Sequence, residues 1–214
     1  MPIFQPDRFL IKQQMARIGH YITGRVLDVG AGKYNRYKGY FKSSEYITLD
    51  YDPKNKPDIV ASADKIPLPD KDIDSIVCTG MMGDLPDLQK AILEFHRVLK
   101  STGKILITEY FITPMHDEPI DFWRFTPFGL EELFIKNGFR KLFLERRGGF
   151  FTAIVQITIR YLIEKFNFNS KKWAKIFNPI FRLSFRLAFF LDRIDKSQAN
   201  SRCSIGWTAI FEKT

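Results

Sequence analysis

Four short stretches hold residue types at spacings that can do chemistry. The first is RVLDVGAGKYNRYKGYF, residues 25–41. An apolar run, Val26, Leu27 and Val29, leads to Gly30 and Gly32. Glycines placed after a strand let the backbone turn sharply and approach a ligand closely. A dinucleotide asks for a third glycine, so that a helix N-terminus can be aimed at its pyrophosphate. Tyr34 stands there instead. A ligand with no phosphate needs the turn without the anion site; an ordinary βα turn is the plain alternative. The second stretch, YITLDYDP, supplies Asp50, 18 residues after Gly32. A carboxylate ending the second strand can accept both hydroxyls of a ribose, whereas Asp52 before Pro53 has the setting of a turn cap. The third, ASADKIPLPDKDIDSIVC, carries Asp64 ahead of Ile66 and Pro67. Asp64 could meet the exocyclic amine of an adenine, or simply belong to a surface loop.

The fourth stretch is MHDEPIDFWRFTPFGL, residues 115–130. His116, Asp121 and Arg124 come close together in it. A reaction at an oxygen that must lose its proton needs a base, and His is suited to that near neutral pH. Asp121 could orient the imidazole or take the proton itself. Arg124 could clamp an acidic substrate group or tie the loop to the core through an ion pair. The bland alternative leaves His116 on the surface and makes the Asp121–Arg124 pair structural.

These residues need elements to hold them. Short apolar runs at 25–29, 46–49, 58–60, 73–78 and 104–111 have the length and flanks of buried strands. The run DLQKAILEFHRVLK repeats apolar residues at helical spacing. Helices are also expected over 7–18 and over 127–137, the latter with Thr126 as N-cap and Pro127 at its first position. Strands alternating with helices predict an α/β fold, a doubly wound Rossmann-like sheet. Asn178-Pro179 has the form of a cap and first turn, which predicts a helix from there to about 194. CSIGWTAIFEK alternates like a strand that returns to the sheet. Residues 150–198 are therefore expected as a helical insertion before the last strand, within one domain spanning 1–214.

Taken in order, VLDVGAG, YITLD, ASADKIPLPDKDIDSIVCTG and LQKAILEFHRVLKSTGKILIT resemble the class I S-adenosylmethionine-dependent methyltransferases, closest to the type 11-like group, over about residues 20–140. The resemblance implies S-adenosylmethionine as cofactor. It implies Gly30 and Gly32 under the methionine part, Asp28 at its amino group, Asp50 on the ribose, Asp64 with Ile66 around the adenine, and Thr79 beside the methyl group. A cofactor without phosphate fits the absence of the third glycine. The loop H-x-x-P-x-D-(Y/F)-x-R-(F/Y)-T of the same group matches residues 116–126. Two departures stand out. MGD at 82–84 replaces LEH, removing a His and a Glu from the pocket's neighbourhood, and KSTG at 100–103 replaces KPGG in a turn.

Composition bounds the rest. The chain has 214 residues, 45% hydrophobic and 27% charged, which is ordinary for a globular domain. Cys78 and Cys203 lack metal-ligand spacing, so no zinc or other metal site is expected, and a reducing, cytoplasmic setting is. No signal-peptide pattern and no run of about 20 apolar residues is present. The net charge of +9 is uneven: residues 1–138 sum to −1 and residues 139–214 to +10. Trp173, Phe177, Phe181, Phe185 and Phe189 recur every fourth residue, and Lys175, Arg182, Arg186 and Arg193 share one helical face. An apolar helix with a basic stripe suits an anionic membrane surface contacted through 150–195, or a helix buried with its stripe in water. Nucleic acid is less favoured, because the aromatics are not interleaved with charge. The expected activity is methyl transfer to a small-molecule, glycan or lipid-linked acceptor, peripheral to the inner face of a membrane. A non-catalytic binding or scaffold protein and an RNA methyltransferase are the alternatives.

Overall fold

The computed structural model describes residues 3–168 and 170–214. Seven strands form one sheet: β1 (Thr23–Val29), β2 (Lys42–Asp50), β3 (Ile59–Val60), β4 (Ile73–Thr79), β5 (Leu99–Tyr110), β6 (Phe139–Arg146) and β7 (Gly206–Lys213). Their order is β3-β2-β1-β4-β5-β7-β6. The first five run parallel, and β7 lies antiparallel between β5 and β6. Asp28 pairs across to Thr48 on one side and Val77 on the other, so β1, β2 and β4 end level. The topology reverses beside β1, and the carboxyl ends of the strands open a crevice there.

Both faces of the sheet are covered, which is why its strands read as near-continuous apolar runs. Leu27, Ile76, Ile105 and Phe211 meet α2 (Leu88–Val98) and α3 (Pro127–Ile135) through Ile92, Phe95, Leu130 and Phe134. Val26, Val77, Leu106 and Ile210 meet α1 (Pro6–Ile18) through Ile11, Met15 and Ile18. The Thr126 hydroxyl accepts from Gly129 N at 3.0 Å, capping α3. Between β1 and β2 the chain makes only turns and one 3-10 turn at Lys38–Tyr40. No α-helix follows the glycine turn before β2, so the turn lacks the succeeding helix on which a pyrophosphate would sit.

Three helices lie between β6 and β7: α4 (Phe150–Lys165), α5 (Lys171–Ile194) and α6 (Gln198–Ser201). The sequence leaves β6 unannounced and starts α5 too late. Asn178-Pro179 does not open a helix, because α5 begins at Lys171 with Ser170 capping Trp173 N at 3.4 Å. A proline inside a helix costs about 3 kcal/mol. Here Ala174, Asn178, Phe181, Phe185, Ala188 and Asp192, at spacings of three and four, are all buried, and the helix continues through it. Phe181 and Phe185 join Phe4, Leu10, Ile159 and Ile205 in a third apolar cluster.

This helical layer also fixes the start of α1. Gln5, at its N-cap, offers no side-chain bond. Instead Asn178 Oδ1 accepts from Phe4 N at 2.7 Å and Gln156 Oε1 from Asp7 N at 3.0 Å. Arg147, 1% exposed, completes the anchorage. Its Nε donates to Asp7 Oδ1 at 2.7 Å, its Nη1 to Trp207 O at 2.6 Å and its Nη2 to Glu109 O at 3.0 Å.

Candidate active site

A cleft of about 310 Å³ opens at the carboxyl ends of β1, β4 and β5. Its walls are Asp28, Gly30 and Gly32 from the first turn, Thr79, Gly80, Thr108 and Tyr110 from the strand ends, Asp117 from the following loop, and Asp7, Arg8 and Ile11 from α1. The turn is built on left-handed backbone, with φ of +69° at Gly30 and +59° at Gly32. A Cβ on Gly30 would fall 2.5 Å from Met81 Cγ, so nothing larger fits. A Cβ on Gly32 would meet nothing within 4 Å, so that residue keeps open space over the cleft. Asp50 holds the turn from β2: its Oδ2 accepts from Gly32 N at 2.8 Å and its Oδ1 from Asp52 N at 2.9 Å.

Asp28 is the chemically tense group. It is 5% exposed, its Oδ2 accepts from the Tyr46 hydroxyl at 2.7 Å, and its Oδ1 has no partner. Burial pushes its pKa up to about 7, the bond from Tyr46 opposing and the nearby Asp50 carboxylate reinforcing the rise. A buried oxygen without a donor costs stability unless a ligand supplies one. The complement at this cleft wall is a cation or an N–H donor.

The second cluster lies behind Tyr110, whose ring meets His116 edge-on at 5.3 Å. Ligand atoms of Asp84, His116 and Asp121 lie within 4.8 Å of one another. His116 Nδ1 is 3.2 Å from Asp121 Oδ2, without the alignment of a hydrogen bond, and the same oxygen accepts from His116 N at 2.9 Å. Arg124 grips Asp121 with both ends of its fork, at 2.5 and 2.6 Å, and also donates to the carbonyls of Trp123 and Pro114. The guanidinium therefore holds the Asp121 carboxyl well below the usual carboxylate range. Asp121 is a permanent anion here, suited to orienting the imidazole and not to taking a proton. Arg124 spends its donors inside the loop, which favours the tying role over the substrate clamp. A divalent cation in this trio would have to compete with that guanidinium for Asp121.

The sequence model of a methyltransferase domain matches residues 27–107, from the glycine turn through β5. Over that segment the chain is similar to the methyltransferase domains. The fold agrees with solved structures at low sequence identity. An S-adenosylmethionine-dependent methyltransferase from Mesorhizobium loti has a TM-score of 0.59 at 14% identity, over 94% of this chain and 96% of that one. Phosphoethanolamine N-methyltransferase 2 from Haemonchus contortus, solved with S-adenosyl-L-methionine, has a TM-score of 0.58 at 16% identity, over 97% of this chain and 52% of that one. The [4+2]-cyclase SpnF has a TM-score of 0.62 at 17% identity, over 97% of this chain and 80% of that one. No curated protein matches the chain in sequence.

Of the residues the sequence singled out, Asp28, Gly30, Gly32 and Thr79 line the cleft. Asp50 supports it through Gly32. Asp64 is exposed and Ile66 is buried in the main core, where its N–H donates to Glu94 Oε2 at 2.8 Å; neither lines the cleft. His116, Asp121 and Arg124 are gathered in one loop. Several functional candidates escaped sequence reasoning. Asp7 and Arg8 arrive from α1, far away in the chain. Glu109, fully enclosed, accepts from Met82 N at 3.0 Å, and burial pushes its pKa up to about 8. Asp84 comes from the MGD stretch itself: its Oδ1 is buried without a partner, and burial pushes its pKa up to about 6. The departure that removes a His and a Glu thus leaves a carboxyl beside His116, supplied from a different loop.

Proposed function

We propose that this methyltransferase transfers a methyl group from S-adenosylmethionine to a small-molecule, glycan or lipid-linked acceptor at the cytoplasmic face of a membrane. The observation that carries the reading is the unpartnered Asp28 Oδ1 on the wall of a glycine-lined cleft, where a cationic amino group is the fitting complement. S-adenosylmethionine supplies, when bound, an electrophilic methyl group on a sulfonium. Asp28 would receive its amino group, Gly30 and Gly32 its methionine part, and Asp50 its ribose. Thr79, Thr108 and Tyr110 wall the side on which an acceptor would lie. The proton that an oxygen or nitrogen acceptor loses goes to His116, which Asp121 holds through its backbone N–H and faces with a carboxylate, with Asp84 beside it.

Titration calorimetry with S-adenosylmethionine is the test. The wild-type chain is expected to bind it, and no heat at high micromolar cofactor would sink the reading. The same fold serves the [4+2]-cyclase SpnF, so the competing reading is a protein that keeps the fold for another task. Cofactor binding without methyl transfer to any acceptor in a panel of glycan and lipid-linked substrates would favour that alternative.

A further inference from the structure

Helix α5 has two apolar faces, and only one of them is used by the fold. Phe181 and Phe185, from the phenylalanine column that the sequence displays, point inward and are 4% and 5% exposed. A second column points the other way: Ile176, Ile180, Leu183, Leu187, Phe190 and Ile194, each between 49% and 68% exposed. Their spacings of 4, 3, 4, 3 and 4 hold one line along the helix. At about 1.5 Å per residue the 24-residue helix is about 36 Å long. An unbroken apolar line of this kind on a soluble surface marks a contact site.

We propose that this outer seam docks α5 flat on an anionic lipid bilayer. The charges select that occupant. Lys175, Arg182, Arg186 and Arg193 run along one flank of the seam, on the side of Arg182 and Phe4. The helix has a single acidic residue, Asp192, and it is buried. Its carboxylate is consumed by Gly149 N at 2.8 Å, Phe151 N at 3.0 Å and Thr152 N at 3.1 Å, where it caps α4. A second copy packed seam to seam, α5 on α5, would therefore set arginines against a helix with no free carboxylate to answer them. An anionic headgroup layer answers all of them, while the seam sinks into the acyl boundary. No helix among the described residues is long and apolar enough to cross a membrane, so α5 lies on the surface. The docking stands without the methyl-transfer reading. What rests on that reading is its use: a shallow trough of Phe4, Phe9, Lys12 and Arg182 runs from α5 to Arg8, which also lines the cleft.

The test uses the full chain with sedimented vesicles, one set of phosphatidylcholine and one of phosphatidylcholine mixed equally with phosphatidylglycerol. Binding is expected to the mixed vesicles only, weakened but not abolished by salt. Each basic residue near such a surface is worth about fivefold in partitioning, so Arg186→Ser with Arg193→Ser should cost roughly 25-fold. Leu183→Glu with Leu187→Glu should abolish binding; both side chains are exposed, so an unchanged melting temperature will show the variant folded. Failure of both vesicle sets, or equal binding to them, overturns the proposal. So does sedimentation of a dimer that these glutamates disrupt with no vesicle binding, or a shift of RNA in gels without vesicle binding. None of these outcomes depends on whether the cleft binds S-adenosylmethionine.

Discussion

Replacing Asp28 with asparagine should strengthen the fold and weaken the site. The carboxyl titrates at about 7 in the folded chain against 3.8 for an ordinary Asp. Between those two values the unfolded chain has released its proton and the folded chain has kept it. The folded state binds more protons, so stability falls as pH rises through this window and levels off above about 7. At about 1.4 kcal/mol per pH step the full penalty is about 4 kcal/mol, and relaxation around the charge reduces it to about half. Asp28→Asn removes the charge and keeps an oxygen for the Tyr46 hydroxyl. At about 2–4 °C per kcal/mol for a chain of this size, the variant should melt about 4–8 °C above wild type at pH 8 and at about the same temperature at pH 4. Glu109 and Asp84 titrate upward in both proteins and cancel in the difference. Calorimetry should show the opposite effect on the ligand, a loss of about tenfold or more in S-adenosylmethionine affinity, since a charged hydrogen bond worth about 1.5–3 kcal/mol is gone. An advantage in melting temperature that does not grow with pH, or an unchanged affinity, would refute the reasoning.

Asp50→Ala removes the acceptor that closes the glycine turn, and calorimetry should find S-adenosylmethionine binding weakened by about tenfold or more; equal affinity in a folded variant would remove Asp50 from the site. His116→Ala should leave cofactor affinity intact and lower turnover on the acceptor by about 10²–10⁴, so full activity would reduce His116 to a loop residue. Arg147→Ala strands the Asp7 carboxylate in the interior and should cost about 3–5 kcal/mol in urea unfolding. Adding Asp7→Asn should restore part of that, and no restoration would mean that the ion pair is not what the arginine supports.

The fold was legible wherever local pattern and tertiary demand agree. The runs at 25–29, 46–49, 73–78 and 104–111 are strands because both sheet faces are covered, which leaves near-continuous apolar sequence. β6 was not legible: Phe139–Arg146 carries charges on a strand at the sheet's margin, and its burial is only partial along most of its length. Asn178-Pro179 misled for the opposite reason. Locally it is a helix start, but Asn178 is recruited by Phe4 N, 174 residues away, and burial of one whole helix face overrides the proline. At the site, the glycine turn and its acidic partners could be read because one crossover places them side by side. Asp7 and Arg8 could not, since they reach the cleft only through the packing of α1; nor could Asp84, which the fold sets beside His116, or Glu109, buried against Met82 N. The phenylalanine column of α5 was visible as a pattern, but whether it or the aliphatic column opposite faces outward is decided by α1 and α4.

The two faces of α5 answer to different masters. Inward, Asn178, Phe181, Phe185 and Asp192 are committed to the start of α1, the third apolar cluster and the cap of α4, so a change there is felt at Asp7 and Arg8 in the cleft. Outward, Ile176, Ile180, Leu183, Leu187, Phe190 and Ile194 stand about half or more in the open. Under the docking proposed above, that separation makes the helix an interchangeable address label. Its outer column can be rewritten to send the same cleft to a different surface, or to none, and the chemistry it carries would be read out unaltered.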